Sequence, residues 1–280
     1  MDLNKAIQFA QLVNAAYAVS PQDLTNAVGK DISVSYGGIT FTHKVVTSIY
    51  ACDLATDLNP NRGTDRVSIG LVLQSDGGDV TIAIRGTEGA REWIHDAEFL
   101  ETKCPFLVGA GCTEDGFTAM YMSLAVTVDI GAPRLANVLA GLPFPKPVSS
   151  VTICGHSLGG ALVTLLALDV AANTIFKNPT VYTYASPRTG NHLFVSTYDQ
   201  VVPNTFRIAN RVDLVPKLPP PPFYEHVLGL FELNPVKFEI PPKILIKFDV
   251  ACEHVLNSYI YLLSEVAGAE MIPLDAACAA

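Results

Sequence analysis

The chain has 280 residues, enough for one large α/β domain or for two smaller ones. Hydrophobic residues make up 49% of it, enough for a sizeable core, and no uninterrupted apolar run reaches the length of a membrane span. The formal net charge of −9 argues against nucleic acid as a partner and does not favour anionic membranes. We therefore expect a globular protein without transmembrane anchoring.

The first residues predict a helix rather than a signal peptide. Asp2, Gln8 and Gln11 interrupt what would be the apolar region of such a peptide. One face of the predicted helix is formed by Ile7, Ala10, Val13, Ala16 and Tyr17. A cytoplasmic protein or a mature secreted form numbered from an added methionine would begin this way, and we favour the secreted form.

The first half of the chain predicts strands connected by turns. Pro21–Gly38 is predicted to be a loop or a short helix, and Ile39–Tyr50 a half-buried strand. Strands Arg66–Gln74 and Val80–Arg85 flank Asp76-Gly-Gly-Asp79, a strong hairpin signal. Helices are then predicted over Ala90–Leu100, Thr113–Asp129 and Pro133–Leu139.

The stretch that organises the chain is a strand, a tight turn and a helix. Val148–Cys154 is an apolar, β-branched run typical of a buried strand, and Gly160–Ala172 has the composition of a buried helix. Between them, Gly155-His-Ser-Leu-Gly159 matches G-x-S-x-G, which forces a turn so sharp that the serine backbone is strained. The two glycines must lack side chains because strand and helix nearly touch. Ser157 is therefore the predicted nucleophile, with its hydroxyl exposed at the sheet edge.

Strand–helix alternation continues after this turn. The predicted elements are strand Thr180–Tyr184, helix Gly190–Tyr198, strand Asn204–Ala209, one or two strands in Phe231–Phe248 and a closing helix His254–Val266. With the hairpins of the first half, this order predicts one mixed, mainly parallel sheet flanked by helices, in a single domain over residues 1–280.

A serine nucleophile needs a base, and the base needs an orienting acid. Hydrolase folds with the G-x-S-x-G turn supply them in the chain order Ser, Asp or Glu, His. The predicted acid is Asp213, just past a strand that follows the nucleophile. Asp199 precedes its strand, and Asp169 lies within the helix that Ser157 begins, so both are weaker candidates.

Only two histidines follow Asp213, and the base is chosen between them. His226 lies beside a proline-rich segment, where a hydrogen-bonded structural imidazole is the alternative interpretation. His254 comes after a predicted strand ending near Val250 and before the final helix. The loop between last strand and last helix is where the base should reach the serine, so His254 is the predicted base.

Two donors are needed for the acyl oxyanion. One is the backbone N–H of Leu158, directly after the nucleophile, and the other is predicted at Thr87, just past strand Val80–Arg85. The next segment is predicted to be an amphipathic helix with Trp93 and Ile94 on its apolar side. It is either an ordinary surface helix or a lid, at about residues 88–98, that opens at a lipid interface.

Six cysteines show no metal-ligand spacing, so no metal site is predicted. Cys104 and Cys112 are spaced to close a short disulfide loop, which would imply an oxidising compartment, and reduced, partly buried thiols are the alternative. Cys154 is predicted to be a small core residue.

Several ordered motifs resemble the class 3 lipase family, the fungal-type lipases of the α/β-hydrolase superfamily. The resembling segments are Thr81–Thr87, Glu92–Asp96, Gly155–Ala161, Tyr182–Asn191, Phe206–Pro220 and His254–Tyr259. The resemblance implies the α/β-hydrolase fold, ester hydrolysis on lipids, and Asp213 as the family's catalytic aspartate. Tyr224-Glu-His226 is similar to a non-catalytic element of the family. The chain departs from the family at Glu114, Ala185 and Leu214, where histidine, glycine and proline are usual.

These observations predict a triacylglycerol lipase that uses no metal or organic cofactor and works through an acyl-enzyme at a lipid–water interface. The acyl site is expected near Trp93 and Ile94 and near the proline-rich segment 216–243. Feruloyl esterases and phospholipases A1 of the same family are alternatives within hydrolases. A catalytically inactive member that binds lipid or a protein partner is the alternative from another class.

Overall fold

The computed structural model describes residues 1–18, 27–52, 66–86, 99–129, 131–235, 250–268, 270 and 272–279. Within these residues a central sheet has the strand order β1-β2-β3-β4-β7-β8-β9-β10. Its strands are β1 Asp31–Tyr36, β2 Ile39–Cys52, β3 Arg66–Ser75, β4 Asp79–Ile84, β7 Ser150–His156, β8 Thr180–Tyr184, β9 Thr205–Asn210 and β10 Leu230–Leu233. A separate two-stranded ribbon pairs β5 Glu101–Lys103 with β6 Cys112–Glu114.

The first four strands are antiparallel, and those from β4 to β10 are parallel neighbours. The predicted hairpin at Asp76–Asp79 is confirmed by the pairing of β3 with β4. The prediction of a loop or short helix over Pro21–Gly38 is wrong at its end, because Asp31–Tyr36 pairs with β2 as an edge strand. Its side chains alternate between core and solvent. This pattern specifies a strand only when a neighbouring strand is present to pair with it.

Helices cover both faces of the sheet. The helices are α1 Leu3–Ala18, α2 Asp115–Met122, α3 Leu135–Val138, α4 Leu158–Asn173, α5 His192–Val201, α6 Val250–Glu253, α7 Leu256–Ala267 and α8 Ala276–Ala279. Alternation along the strands feeds two cores: Ile82 and Ile153 pack with α2, α4 and α5, whereas Ala83 and Cys154 pack with α1 and α7.

Two predicted elements have different bounds in the structure. The helix expected over Thr113–Asp129 begins only at Asp115 and ends at Met122, because Thr113 and Glu114 belong to β6. The chain before His254 forms the single helical turn Val250–Glu253, where the sequence predicts the end of a strand. The preceding residues 236–249 of the predicted strand region lie outside the described residues.

Two of the cysteines form a disulfide that the sequence does not predict. Cys252 and Cys278 are joined by a disulfide, with 5.5 Å between their Cα atoms. Cys104 and Cys112 are free thiols, which is the reduced alternative. Cys154 is fully buried in the sheet, as predicted for a small core residue, and burial raises the pKa of its thiol.

A buried ion pair ties α4 to the segment before α3. The carboxylate of Asp169, with no exposed side-chain surface, lies 2.5 Å from the guanidinium of Arg134. It also accepts hydrogen bonds from the hydroxyl of Tyr121 and, at 2.7 Å, from the amide of Asn173. Asp169, one of the weaker candidates for the catalytic acid, therefore has a structural role in this ion pair and its hydrogen bonds.

Asp169→Ala is expected to lower the free energy of unfolding by about 2–3 kcal/mol, because Arg134 loses the carboxylate that compensates its burial. Urea unfolding measures the change. Asp31→Ala is the matched control: its ion pair with Lys44 is exposed on both sides, and its loss should cost at most about 1 kcal/mol. Equal losses in the two variants would contradict the role assigned to the buried pair.

Candidate active site

The tight turn around Ser157 connects β7 directly to α4. Ser157 has φ +57° and ψ −126°, the strained conformation that the sequence predicts. A Cβ on Gly155 would lie 2.4 Å from the carbonyl oxygen of Gly159, and one on Gly159 would lie 2.4 Å from that of Ile84. Side chains at either glycine would therefore force strand and helix apart.

Ser157, His254 and Asp213 form one chain of hydrogen bonds. Ser157 Oγ is 2.8 Å from His254 Nε2, and His254 Nδ1 is 2.8 Å from Asp213 Oδ2. Because a carboxylate only accepts, Nδ1 carries the proton, and the free Nε2 accepts the Ser157 hydroxyl. The expectation that Ser157 is exposed is wrong: only 3% of it is accessible.

The carboxylate of Asp213 is held by three donors. Oδ1 accepts the backbone N–H of Val215 at 2.9 Å, and Oδ2 accepts the hydroxyl of Tyr259 at 2.7 Å as well as His254. Tyr259 Oη in turn accepts the backbone N–H of Asn210 at 3.0 Å. Burial and the charge of Asp213 hold the pKa of Tyr259 well above its ordinary value, so the hydroxyl remains a donor.

The competing candidates lie elsewhere. Asp199 accepts the backbone N–H of Leu228 at 2.9 Å. His226 Nε2 donates to the carbonyl oxygen of Pro216 at 2.5 Å. Burial, reinforced by the positive charge of Arg207, lowers the pKa of His226 to about 3, so its imidazole is neutral and structural.

Because His226 is buried, the free energy of unfolding falls as the pH is lowered. Unfolded chains protonate His226 near pH 6.5, whereas the native state does so only near pH 3. Between these values the unfolded state binds more protons, so stability falls as pH falls, by about 1.4 kcal/mol per pH unit from this residue. His226→Gln should retain the bond to Pro216 and remove that part of the slope, measured by urea unfolding at several pH values. An unchanged slope would contradict the assignment.

A second network, which the sequence analysis missed, connects α1 to the active site. Tyr17 Oη accepts the N–H of Gly86 at 2.8 Å and donates to His156 Nδ1 at 2.8 Å. His156 Nε2 donates to the carbonyl oxygen of His254 at 2.8 Å. Burial and the His254 ring hold the pKa of His156 well below its ordinary value, which keeps it neutral. The helical pattern identified Tyr17 only as part of an apolar face, and its hydroxyl was the signal overlooked.

The oxyanion donors are only partly within the described residues. Leu158 is the first residue of α4, where backbone N–H groups have no partner one helical turn earlier. Thr87, the lid at 88–98 with Trp93 and Ile94, and residues 236–243 of the proline-rich segment lie outside the described residues. In the part of the chain that the structure describes, no group of three or more His, Cys, Asp or Glu side chains could hold a metal ion.

Comparison with known proteins identifies the family. Residues 81–223, just over half of the chain, match the family model described as lipase (class 3). The chain belongs to the class 3 lipase family. The match begins in β4 and includes the turn at Ser157 and Asp213.

Individual relatives and structures agree with this class 3 lipase assignment. A secreted mono- and diacylglycerol lipase 1 of Fusarium solani is 29% identical over 230 residues, 80% of this chain and 62% of the relative. The chain thus spans less than two thirds of that relative's length. A phospholipase A1-II 6 of Oryza sativa subsp. japonica is 30% identical over 53% of this chain and 42% of its own. The crystal structure of a mutant form of MDLA from Penicillium cyclopium covers 84% of this chain and 82% of its own, with 24% identity and a TM-score of 0.57. The fold is that of an α/β-hydrolase.

Of the three departures from the class 3 lipase pattern, Glu114 has a role in the structure, whereas Ala185 and Leu214 have backbone conformations that suit the usual residue and the structure does not explain the change. Glu114 caps α2 by accepting the backbone N–H of Phe117 at 2.7 Å, and its burial raises the pKa of the carboxyl group. Ala185, where glycine is usual, adopts φ +54° in the left-handed region. Leu214 precedes the short helical turn Val215–Lys217 with φ −82°, close to the value that proline imposes.

Proposed function

We propose that this class 3 lipase is a serine carboxylic-ester hydrolase that acts on acylglycerols, as a triacylglycerol lipase. The observation that carries the proposal is the hydrogen-bond chain from Ser157 through His254 to Asp213 at a strained turn. The name of the Fusarium relative supports an acylglycerol substrate.

In the proposed mechanism His254 takes the proton of Ser157 as the hydroxyl attacks the ester carbonyl carbon. Asp213 holds His254 in the tautomer that leaves Nε2 free and stabilises the imidazolium that forms. The N–H of Leu158 and the backbone and hydroxyl of Thr87 stabilise the oxyanion. His254 then protonates the departing alcohol, and water, activated by the same imidazole, releases the acyl group from Ser157.

Segment 88–98 is proposed as a lid that opens at the lipid–water interface. Ser157 is buried, so an ester can reach it only after some part of the protein moves. Both ends of the segment are anchored by tyrosines: Gly86 donates to Tyr17, and the carbonyl oxygen of Phe99 accepts the hydroxyl of Tyr224 at 2.8 Å. A lid predicts a rise in rate once the substrate exceeds its solubility. Hyperbolic kinetics through that concentration would contradict it.

We also propose that the protein works outside the cytosol. The Cys252–Cys278 disulfide is typical of oxidising compartments, and the Fusarium relative is named as secreted. Among the described residues, no helix is both long enough and apolar enough to span a bilayer.

A substrate panel tests the proposed function. Trioctanoylglycerol, dioctanoylglycerol, dioctanoyl phosphatidylcholine and methyl ferulate are compared by kcat/KM, and acylglycerols should be the fastest. The name of the rice relative makes phospholipase A1 the second candidate, and a preference for the phosphatidylcholine would favour it. Labelling of Ser157 by a fluorophosphonate excludes an inactive binding protein. A native chain that does not react would overturn the proposed function.

A further inference from the structure

His254 lies in a short irregular segment between two helices. Helix α6, Val250–Glu253, is a single turn, and α7 begins at Leu256. A four-residue helix has no stability of its own, because nucleation costs more than one turn of hydrogen bonds returns. The position of the imidazole therefore depends on tertiary contacts on both sides of it. Two of them are with the sheet: Asn210 donates to the carbonyl oxygen of Glu253, and His156 to that of His254.

The end of the chain supplies two further attachments. We call residues 272–278 the C-terminal strap. Its Cys278 is bonded to Cys252, two residues before His254, and both cysteines are buried. Its Asp275 accepts a hydrogen bond at 2.7 Å from Asn257, three residues after His254. The strap is thus fixed to the chain on either side of the imidazole.

The strap is itself anchored to the core. Ile272 and Leu274 pack against the core that includes Leu256 and Tyr259 of α7. Asn257 also accepts, at 3.0 Å, a hydrogen bond from Asn14 of α1, so the attachment point is connected to the first helix. Because the strap packs against the core and is connected to α1, it can restrain the segment that carries His254.

We propose that the C-terminal strap, closed by the Cys252–Cys278 disulfide, is a positioning element that holds His254 in register with Ser157 and Asp213. This inference rests on the proposed function, in which His254 is the base. Proton transfer requires Nε2 to stay at hydrogen-bond distance from Ser157 Oγ, and a displacement of about 1 Å at such a site costs about 10²-fold in rate. The disulfide therefore contributes to kcat and not only to stability.

The test compares Cys252→Ala/Cys278→Ala with Cys104→Ala, which removes a buried free thiol. Both are assayed on p-nitrophenyl butyrate well below the Tm of each variant. The double variant should lose about tenfold in kcat with KM within about twofold, because the base is displaced while the ester site remains. Cys104→Ala should retain the kcat of the native chain. A disulfide that only stabilises would lower Tm and leave kcat unchanged, and that result would overturn the proposal.

A second readout does not require activity. The low-field NMR signal of the His254 Nδ1–H, hydrogen-bonded to Asp213, should broaden or disappear in the double variant and persist in Cys104→Ala. If the native chain hydrolyses no ester, the proposed function fails, whereas this signal still reports whether the strap holds the imidazole. If the double variant does not fold, the native enzyme is reduced with a phosphine and followed by thiol titration. Full kcat with the disulfide opened would then overturn the proposal.

Discussion

Ser157→Ala is expected to lower kcat for ester hydrolysis about 10⁶-fold, the loss typical of removing the nucleophile of a Ser–His–Asp enzyme. The substitution removes the only atom of the residue that bonds to His254. Measurement on a soluble ester and on an acylglycerol emulsion should give a similar factor, because in the proposed mechanism both reactions begin with attack by Ser157. A loss of less than about 10²-fold would show that another group attacks the ester.

Ser157→Ala should fold, so that its loss of activity can be attributed to the loss of the nucleophile. Serine and alanine both carry an unbranched Cβ, so the substitution adds no steric conflict to the backbone at φ +57° and ψ −126°. Ser264→Ala is the matched control: Ser264 is buried in α7, and its hydroxyl donates to the carbonyl oxygen of Tyr261. Its kcat should remain that of the native chain.

Asp213→Asn is expected to lower kcat about 10⁴-fold by favouring the wrong tautomer of His254. Both oxygens of the carboxylate accept hydrogen bonds: Oδ1 faces the N–H of Val215, and Oδ2 faces His254 and Tyr259. If the amide NH₂ replaces Oδ1, it opposes the N–H of Val215. If it replaces Oδ2, it donates to Nδ1 of His254, and the ring proton moves to Nε2, where it blocks acceptance of the serine hydroxyl.

Asp199→Asn is the matched control for this prediction, because Asp199, in α5, is the other aspartate near a strand that was considered as the acid. Its carboxylate accepts one backbone N–H, that of Leu228, which an amide oxygen can also accept. Its kcat should be unchanged. A large loss in Asp199→Asn together with a small loss in Asp213→Asn would reverse the assignment of the acid.

Much of the fold follows from local patterns. The strand before Ser157, the helix after it and the strained turn between them are confirmed, since β-branched runs and obligatory glycines act over a few residues. The hairpin at Asp76–Asp79 is confirmed for the same reason. The strand Asp31–Tyr36 was missed because an edge strand of mixed polarity is stabilised mainly by its neighbour.

The sequence by itself determined the turn that carries Ser157, and chain order reduced its partners to a few candidates. Only the tertiary structure decided that Asp213 and His254 meet there, that Tyr17 and His156 brace the histidine, and that Cys278 pairs with Cys252. The physical reason is the sequence separation over which each kind of interaction acts. Steric rules fix a turn within five residues, whereas these contacts join residues up to 139 positions apart and exist only once the sheet and its helices have packed.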